Sequence, residues 1–131
     1  MTGRSRRGLG AWLWVWGPAI AWAVLIYSAS SLSRPPAPPG GITDKHEHVA
    51  AYGVLSAFVL RGLAGATMAG VTGGTAGGAA VLTTLYGMTD EFHQRFVPER
   101  DASWLDLAAD AIGATAAAGL VYAWAIIRRR R

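Results

Sequence analysis

Apolar residues in this chain fall in long runs, not in the alternating or three-to-four spacing of a half-buried element. No charged residue occurs from Leu9 to Leu32, a stretch longer than the ~20 residues that cross a bilayer core. Pro18 lies inside it, where a membrane helix accommodates proline with a kink. Arg34 and the run Pro35-Pro36-Ala37-Pro38-Pro39-Gly40-Gly41 end it in a loop. A second run extends from about His46 to Ala64, with Arg61 near its end. A third extends from about Thr67 to Phe92 and meets no charge before Asp90. A fourth extends from about Trp104 to Ile127, with Asp106 and Asp110 in its first two turns. The pattern predicts one all-α domain over residues 1–131, an integral membrane bundle of four transmembrane helices at about 9–32, 46–64, 67–92 and 104–127. Short linkers make consecutive helices antiparallel neighbours.

Composition agrees with this. Hydrophobic residues make up 52% of the chain and charged ones 15%, below the roughly 25% of a soluble domain. The apolar fraction also argues against disorder. With no cysteine, disulfide scaffolds, thiolate metal sites and cysteine nucleophiles are excluded.

Charge placement supplies the orientation. Arg4, Arg6, Arg7, Arg61, Arg128, Arg129, Arg130 and Arg131 fall on one side of the predicted bundle, and Arg34, Lys45, Arg95 and Arg100 on the other. The first side is therefore cytoplasmic, with both termini on it, and the protein is expected in the cell membrane as a multi-pass protein. All the acidic residues and all three histidines fall on the outer side. The basic residues are thus anchors at helix ends, and nucleic-acid binding, which needs a basic face with readers, is not expected. Trp12, Trp14 and Trp16 suit the inner membrane interface. A cleaved signal peptide is the rival reading of the first run, with Ser28-Ala29-Ser30 as a loose cleavage site, but the run exceeds the usual apolar region and is rich in Trp.

Gly70, Gly74 and Gly78 recur every four residues in the third run, facing the prospect of Ala109, Gly113 and Ala117 at the same spacing in the fourth. Small residues let helix backbones approach, so these two helices are expected to pack through that stripe; homodimerisation through it is the open alternative. Polar residues cluster at the outer ends. Lys45, His48 and Tyr52 share one helix face, Asp90 and Gln94 another, and Asp106 and Asp110 a third, with Glu91 offset by one position. Ionisable groups at membrane depth are costly and mark function. Asp44 with Glu47, and Ser103 with Asp106, also fit capping boxes. Asp90 and Glu91 sit near a helix C-terminus, where the dipole disfavours anions. They call for a cation or a proton, with Arg95, Arg100, Lys45 and His48 available. His46 and His93 read as ordinary interfacial residues.

Taken together, Asp44-Lys45-x-x-His48-x-x-x-Tyr52-x-x-Leu55, Asp90-Glu91-x-x-Gln94-x-Phe96-x-Pro98-x-Arg100, Asp106 and Gly113 resemble the VanZ-like family of bacterial membrane proteins over nearly the whole chain. Ser30-Ser31 is similar to that family's serine-rich exit from its first helix; the family usually has Asn where this chain has Asp110. The namesake is associated with low-level teicoplanin resistance. The resemblance therefore implies a cell-envelope role, with lowered glycopeptide susceptibility as an expectation and no defined reaction.

Two function classes follow. In the first, Lys45, His48, Tyr52, Asp90, Glu91, Gln94, Arg100, Asp106 and Asp110 form an outer polar cavity that binds an envelope component. Partners would be membrane lipids and a lipid-linked precursor or other anionic ligand, met by Lys45, Arg95 and Arg100. Arg100 is expected to pair with Glu91 or, failing that, Asp106. In the second, His48 is the general base of an intramembrane hydrolase or transferase, oriented by Glu91 or Asp90. A metal variant of the second would use His48, Asp90, Glu91 and Asp106. No HExxH, nucleophile elbow or P-loop occurs, so no catalytic residue, cofactor or metal is assigned from the sequence.

Overall fold

The fold was read from a computed structural model that describes residues 8–36, 39–41 and 43–131. Among these there are four helices and no strand: α1 (Leu9–Ser30), α2 (Asp44–Leu63), α3 (Gly73–Gln94) and α4 (Trp104–Arg129). α1 and α4 are long and apolar enough to cross a membrane. α2 opens on Asp44, Lys45 and Glu47, and α3 closes on Asp90 and Glu91, which shortens the apolar stretch of each. Arg4, Arg6 and Arg7, and Ala37 and Pro38 of the proline-rich loop, lie outside the described residues.

Local chemistry moves several expected boundaries. α3 starts at Gly73 and not near Thr67. Gly65 and Ala66 both have positive φ, 62° and 59°, which breaks the helical path after α2. Thr72 then caps α3, accepting from the Thr75 amide at 3.2 Å, while its own amide donates to Thr75 Oγ1 at 2.8 Å. α2 is capped by Thr43 and not by Asp44. The reciprocal side chain is His46, whose Nδ1 accepts from the Thr43 amide at 3.3 Å. Ser103 caps α4 as expected, accepting from the Leu105 amide at 3.1 Å, but Asp106 does not reach back to it. Arg61 lies in the last turn of α2, not in the following loop.

Pro18 explains how α1 is held. It has no amide hydrogen, so the carbonyl of Trp14, four residues earlier, loses its helical donor. Arg61 supplies one: Nη1 donates to Trp14 O at 2.5 Å and to Val15 O at 2.8 Å, with the guanidinium over the Trp14 ring. Further along, Trp22 Nε1 donates to Ala51 O at 2.9 Å and Tyr86 OH to Ala23 O at 2.6 Å. α1 is thus tied chiefly to α2, with α3 touching it at its far half.

The centre of the bundle is α2 against α4, flanked by α3. Backbones come closest at Gly113, where an added Cβ would sit 2.9 Å from Val49 Cα. The expected α3 glycine stripe does not perform this role. Gly70 precedes the helix, Gly74 is exposed, and Gly78 is half-buried but faces Leu63 of α2, whose Cδ1 would lie 3.4 Å from an added Cβ; beside them, a Cβ at Gly77 would meet no atom within 4 Å. α3 does pack on α4, through alanines: Ala76 and Ala79 share a core with Ala118, Ala125 and Leu60.

Polarity is partly inverted relative to a soluble domain: the core clusters are apolar, but polar groups are buried with them at one end. Asp90, Glu91, Gln94, Asp106 and Asp110 are buried, whereas Trp14, Val24, Leu85, Phe92, Ile112 and Leu120 are exposed. Fully buried charges are rare unless paired, and large contiguous apolar surfaces are rare in water.

Two tests follow. Gly113→Ala should lower detergent-solubilised stability by about 1–3 kcal/mol through overpacking, whereas Gly77→Ala should be neutral or better; equal losses would show that α2 and α4 separate freely at this point. Arg61→Met should destabilise wild type by about 1–2 kcal/mol and distinctly less in a Pro18→Ala background, where Trp14 regains a donor. Strict additivity in that thermal-melting cycle would rule out the proposed pairing.

Candidate functional site

The polar residues converge at one end of the bundle because three helix termini and the exit of α1 meet there. α2 presents Lys45, His48 and Tyr52 from its first three turns, α3 presents Asp90, Glu91 and Gln94 from its last two, and α4 presents Asp106 and Asp110 from its first two. Spacing of three, four and seven residues puts each set on the inward face of its helix.

Asp90 is the hub nearest α1. It is 4% exposed and accepts from Ser30 Oγ at 2.6 Å, Tyr52 OH at 3.0 Å and Gln94 Nε2 at 3.2 Å. All three donors are neutral, so the carboxylate is satisfied without the cation expected for it.

Lys45 reaches the other way. Its ammonium bridges Asp106, itself 5% exposed, and Asp44 Oδ2 at 2.9 Å.

Between these two groups lie His48, Asp110 and Glu91. His48 Nδ1 is 2.8 Å from Asp110 Oδ1, and Asp110 is fully buried. The Asp110 carboxylate rests against Gly87, where a Cβ would stand 2.7 Å from Oδ2; no larger residue fits at that position without moving Asp110. Glu91 Oε2 accepts from the Ser103 amide at 2.9 Å. This bond ties the end of α3 to the cap of α4. Glu91 Oε1 and Asp110 Oδ2 are buried with no hydrogen-bond partner.

Arg100 does not pair with Glu91 or Asp106. Its Nε donates to Leu32 O at 3.0 Å and its Nη2 to Ala29 O at 3.1 Å, where it joins the Leu32 amide on the Ala29 carbonyl at the C-terminus of α1. The loop makes this possible by turning at Glu99, φ 63°, after Pro98. Glu99 itself binds Arg34 with two hydrogen bonds, 2.5 and 2.9 Å. Arg95 makes no ion pair among the described residues. His93 stacks on Tyr27 at 4.6 Å and meets Ser31 Oγ at 3.0 Å, a packing role at the rim.

Two cavities adjoin the site in place of the single one expected. The larger, about 490 Å³, opens between α1, α2 and the end of α3, with Ser30, His48, Tyr52, Asp90, Gln94 and Arg100 on its wall. The smaller, about 280 Å³, lies between α3 and α4, with Glu91, Phe92, Arg95, Ser103 and Trp104. Asp106 lines neither. Reasoning from sequence found Lys45, His48, Tyr52, Asp90, Glu91, Gln94, Asp106 and Asp110, and the structure gathers them. It missed the Ser103 amide, Gly87 and Ser56, whose hydroxyl is buried and donates to Ala114 O at 2.8 Å. Gly87 had a signal, since it stands one turn before Asp90 and Glu91 on the same face.

Comparison with family models, with curated proteins and with solved structures finds no match to this chain.

Removing Lys45 should expose how much Asp106 depends on it. Lys45→Met is expected to destabilise the detergent-solubilised protein by about 1–3 kcal/mol, below the cost at a fully buried pair because the lysine is partly solvated. Adding Asp106→Asn should recover much of that loss. Equal melting temperatures for the single and double variants would mean that Asp106 is stable without the ammonium.

Proposed function

We propose that this chain is a four-span membrane protein of the VanZ-like type, with both termini cytoplasmic, that binds a cell-envelope component in its outer polar cavity. The inverted polarity of the bundle is the observation that carries the reading: carboxylates and glutamine lie inside, and Leu, Ile, Phe and Trp side chains coat the outside. Lipid is the solvent that favours this arrangement. The helices contain 22, 20, 22 and 26 residues; at 1.5 Å per residue even the shortest is about 30 Å long, the thickness of a hydrocarbon core. The Lys and Arg asymmetry assigns the orientation.

The chemistry of the larger cavity favours a ligand with hydroxyl or amine groups. Its wall carries Ser30, Tyr52, Asp90 and Gln94, all able to hydrogen-bond a sugar or an ammonium. Lys45 already bridges two carboxylates, whereas Arg100 binds only neutral carbonyls and lines the larger cavity, which makes it the contact for a phosphate. A lipid-linked envelope precursor combines these features, and reduced glycopeptide susceptibility is the phenotype that the family resemblance supplies. One observation favours a second reading. The 2.8 Å His48–Asp110 pair next to Glu91 has the make-up of a general base with its orienting acid, as an intramembrane hydrolase or transferase would require.

The absence of native cysteine makes topology directly measurable. Pro36→Cys and Pro98→Cys should react with an impermeant maleimide on intact cells, and Ala69→Cys should react only after permeabilisation. Reversed labelling would overturn the orientation. In the same cells, Asp90→Asn and Tyr52→Phe should abolish any rise in teicoplanin tolerance produced by the wild-type protein at equal membrane abundance; unchanged tolerance would remove the cavity from that phenotype.

A further inference from the structure

We propose that His48, Glu91 and Asp110 bind one divalent transition-metal cation, of the zinc or manganese class, in the wall between the two cavities. One ring nitrogen of His48 and one carboxylate oxygen from each acid lie within 4.8 Å of one another. The three residues come from three different helices, α2, α3 and α4, so bound metal would pin the outer end of the bundle. His48 lines the larger cavity and Glu91 the smaller. An ion between them is therefore approachable from both sides and can keep exchangeable positions for water or a ligand.

The unpaired atoms single out this trio among the acidic residues. Only three buried side-chain oxygens among the described residues lack a hydrogen-bond partner: Thr83 Oγ1, Glu91 Oε1 and Asp110 Oδ2. Two of the three belong to the trio. Glu91 is 7% exposed and Asp110 fully buried, and no protein donor reaches either free oxygen. Asp90 has no such need, because Ser30, Tyr52 and Gln94 satisfy it, and Asp106 has Lys45. The metal set suggested by sequence, which used Asp90 and Asp106, is thereby replaced by one that uses Asp110.

Charge and donor type set the class of ion. Two carboxylates and a neutral imidazole carry two negative charges, which a dication balances. One nitrogen and two oxygens suit zinc, manganese or ferrous iron. Calcium seeks six to eight oxygens, and magnesium prefers a mostly hydrated octahedron. The inference goes beyond the cavity reading and does not depend on which envelope component is bound.

Protein purified without a polyhistidine tag, stripped with chelator and checked for retained helicity would be titrated with zinc and manganese. The expected result is one ion per chain and a higher melting temperature. Asp110→Asn and Glu91→Gln should each weaken binding about 100-fold or more, and a His46→Gln/His93→Gln variant should keep it. Cobalt gives a second measurement that needs no variant: it should produce visible d–d absorption without a thiolate band, displaced by zinc. Absence of saturable binding by folded wild type would overturn the proposal. So would undiminished binding by both carboxamide variants, loss of binding in the His46/His93 variant, or binding of magnesium alone.

Discussion

Four carboxylates are buried at one end of this bundle, and much of the arrangement around them follows from the need to satisfy them. Asp90, Glu91, Asp106 and Asp110 cannot rely on water, so neighbouring elements supply donors. α1 must end where Ser30 reaches Asp90. α4 must begin where the Ser103 amide reaches Glu91. α2 must enter at a depth that gives Lys45 to Asp106, His48 to Asp110 and Tyr52 to Asp90. These links fix the vertical register of four helices whose core toward the other end is rich in alanine. Polar hydrogen bonds are directional and dispersion contacts are not, so the polar end specifies alignment while the alanine-rich end supplies close packing.

The two ends also differ in how their loops are secured. Arg100 closes the carbonyls of α1 at the polar end. Arg129 does the corresponding work at the other, placing Nη2 on Met68 O at 2.8 Å and Val71 O at 2.5 Å between α2 and α3. Arginine suits both places because a rigid fork of donors can serve several carbonyls at once. A charge counted as a topological anchor is thus also a structural hydrogen-bond donor.

Much of the helix content and most of the polar cluster were legible in the sequence, because apolar runs and three-to-four spacing are one-dimensional signals. Lys45, His48 and Tyr52 had to share a face whatever they faced. Partner choice was not legible. Arg100 and Glu91 looked complementary in sign, yet the arginine binds the carbonyls of Ala29 and Leu32, and sequence does not display which carbonyls a folded loop brings within reach. The glycines of α3 were misread for a related reason. Spacing shows that Gly70, Gly74 and Gly78 are in phase, but only the cap formed by Thr72 and Thr75 shows where the helix starts, and only packing shows that Gly74 is exposed and that Gly78 meets Leu63 of α2. Gly113 took the close approach because α4 lies against α2 there.

The contact between Arg61 and the kink of α1 has a consequence for assembly in time. A chain made from its N-terminus completes α1 before residue 61 exists. Until then the Trp14 carbonyl has no donor in its own helix, and the polypeptide carries an unmet need in its first segment. In the folded bundle that need is met by the last turn of α2. α1 therefore gains this donor only once the second segment has been made almost to its end, so the proline makes the capping of the first helix depend on the second.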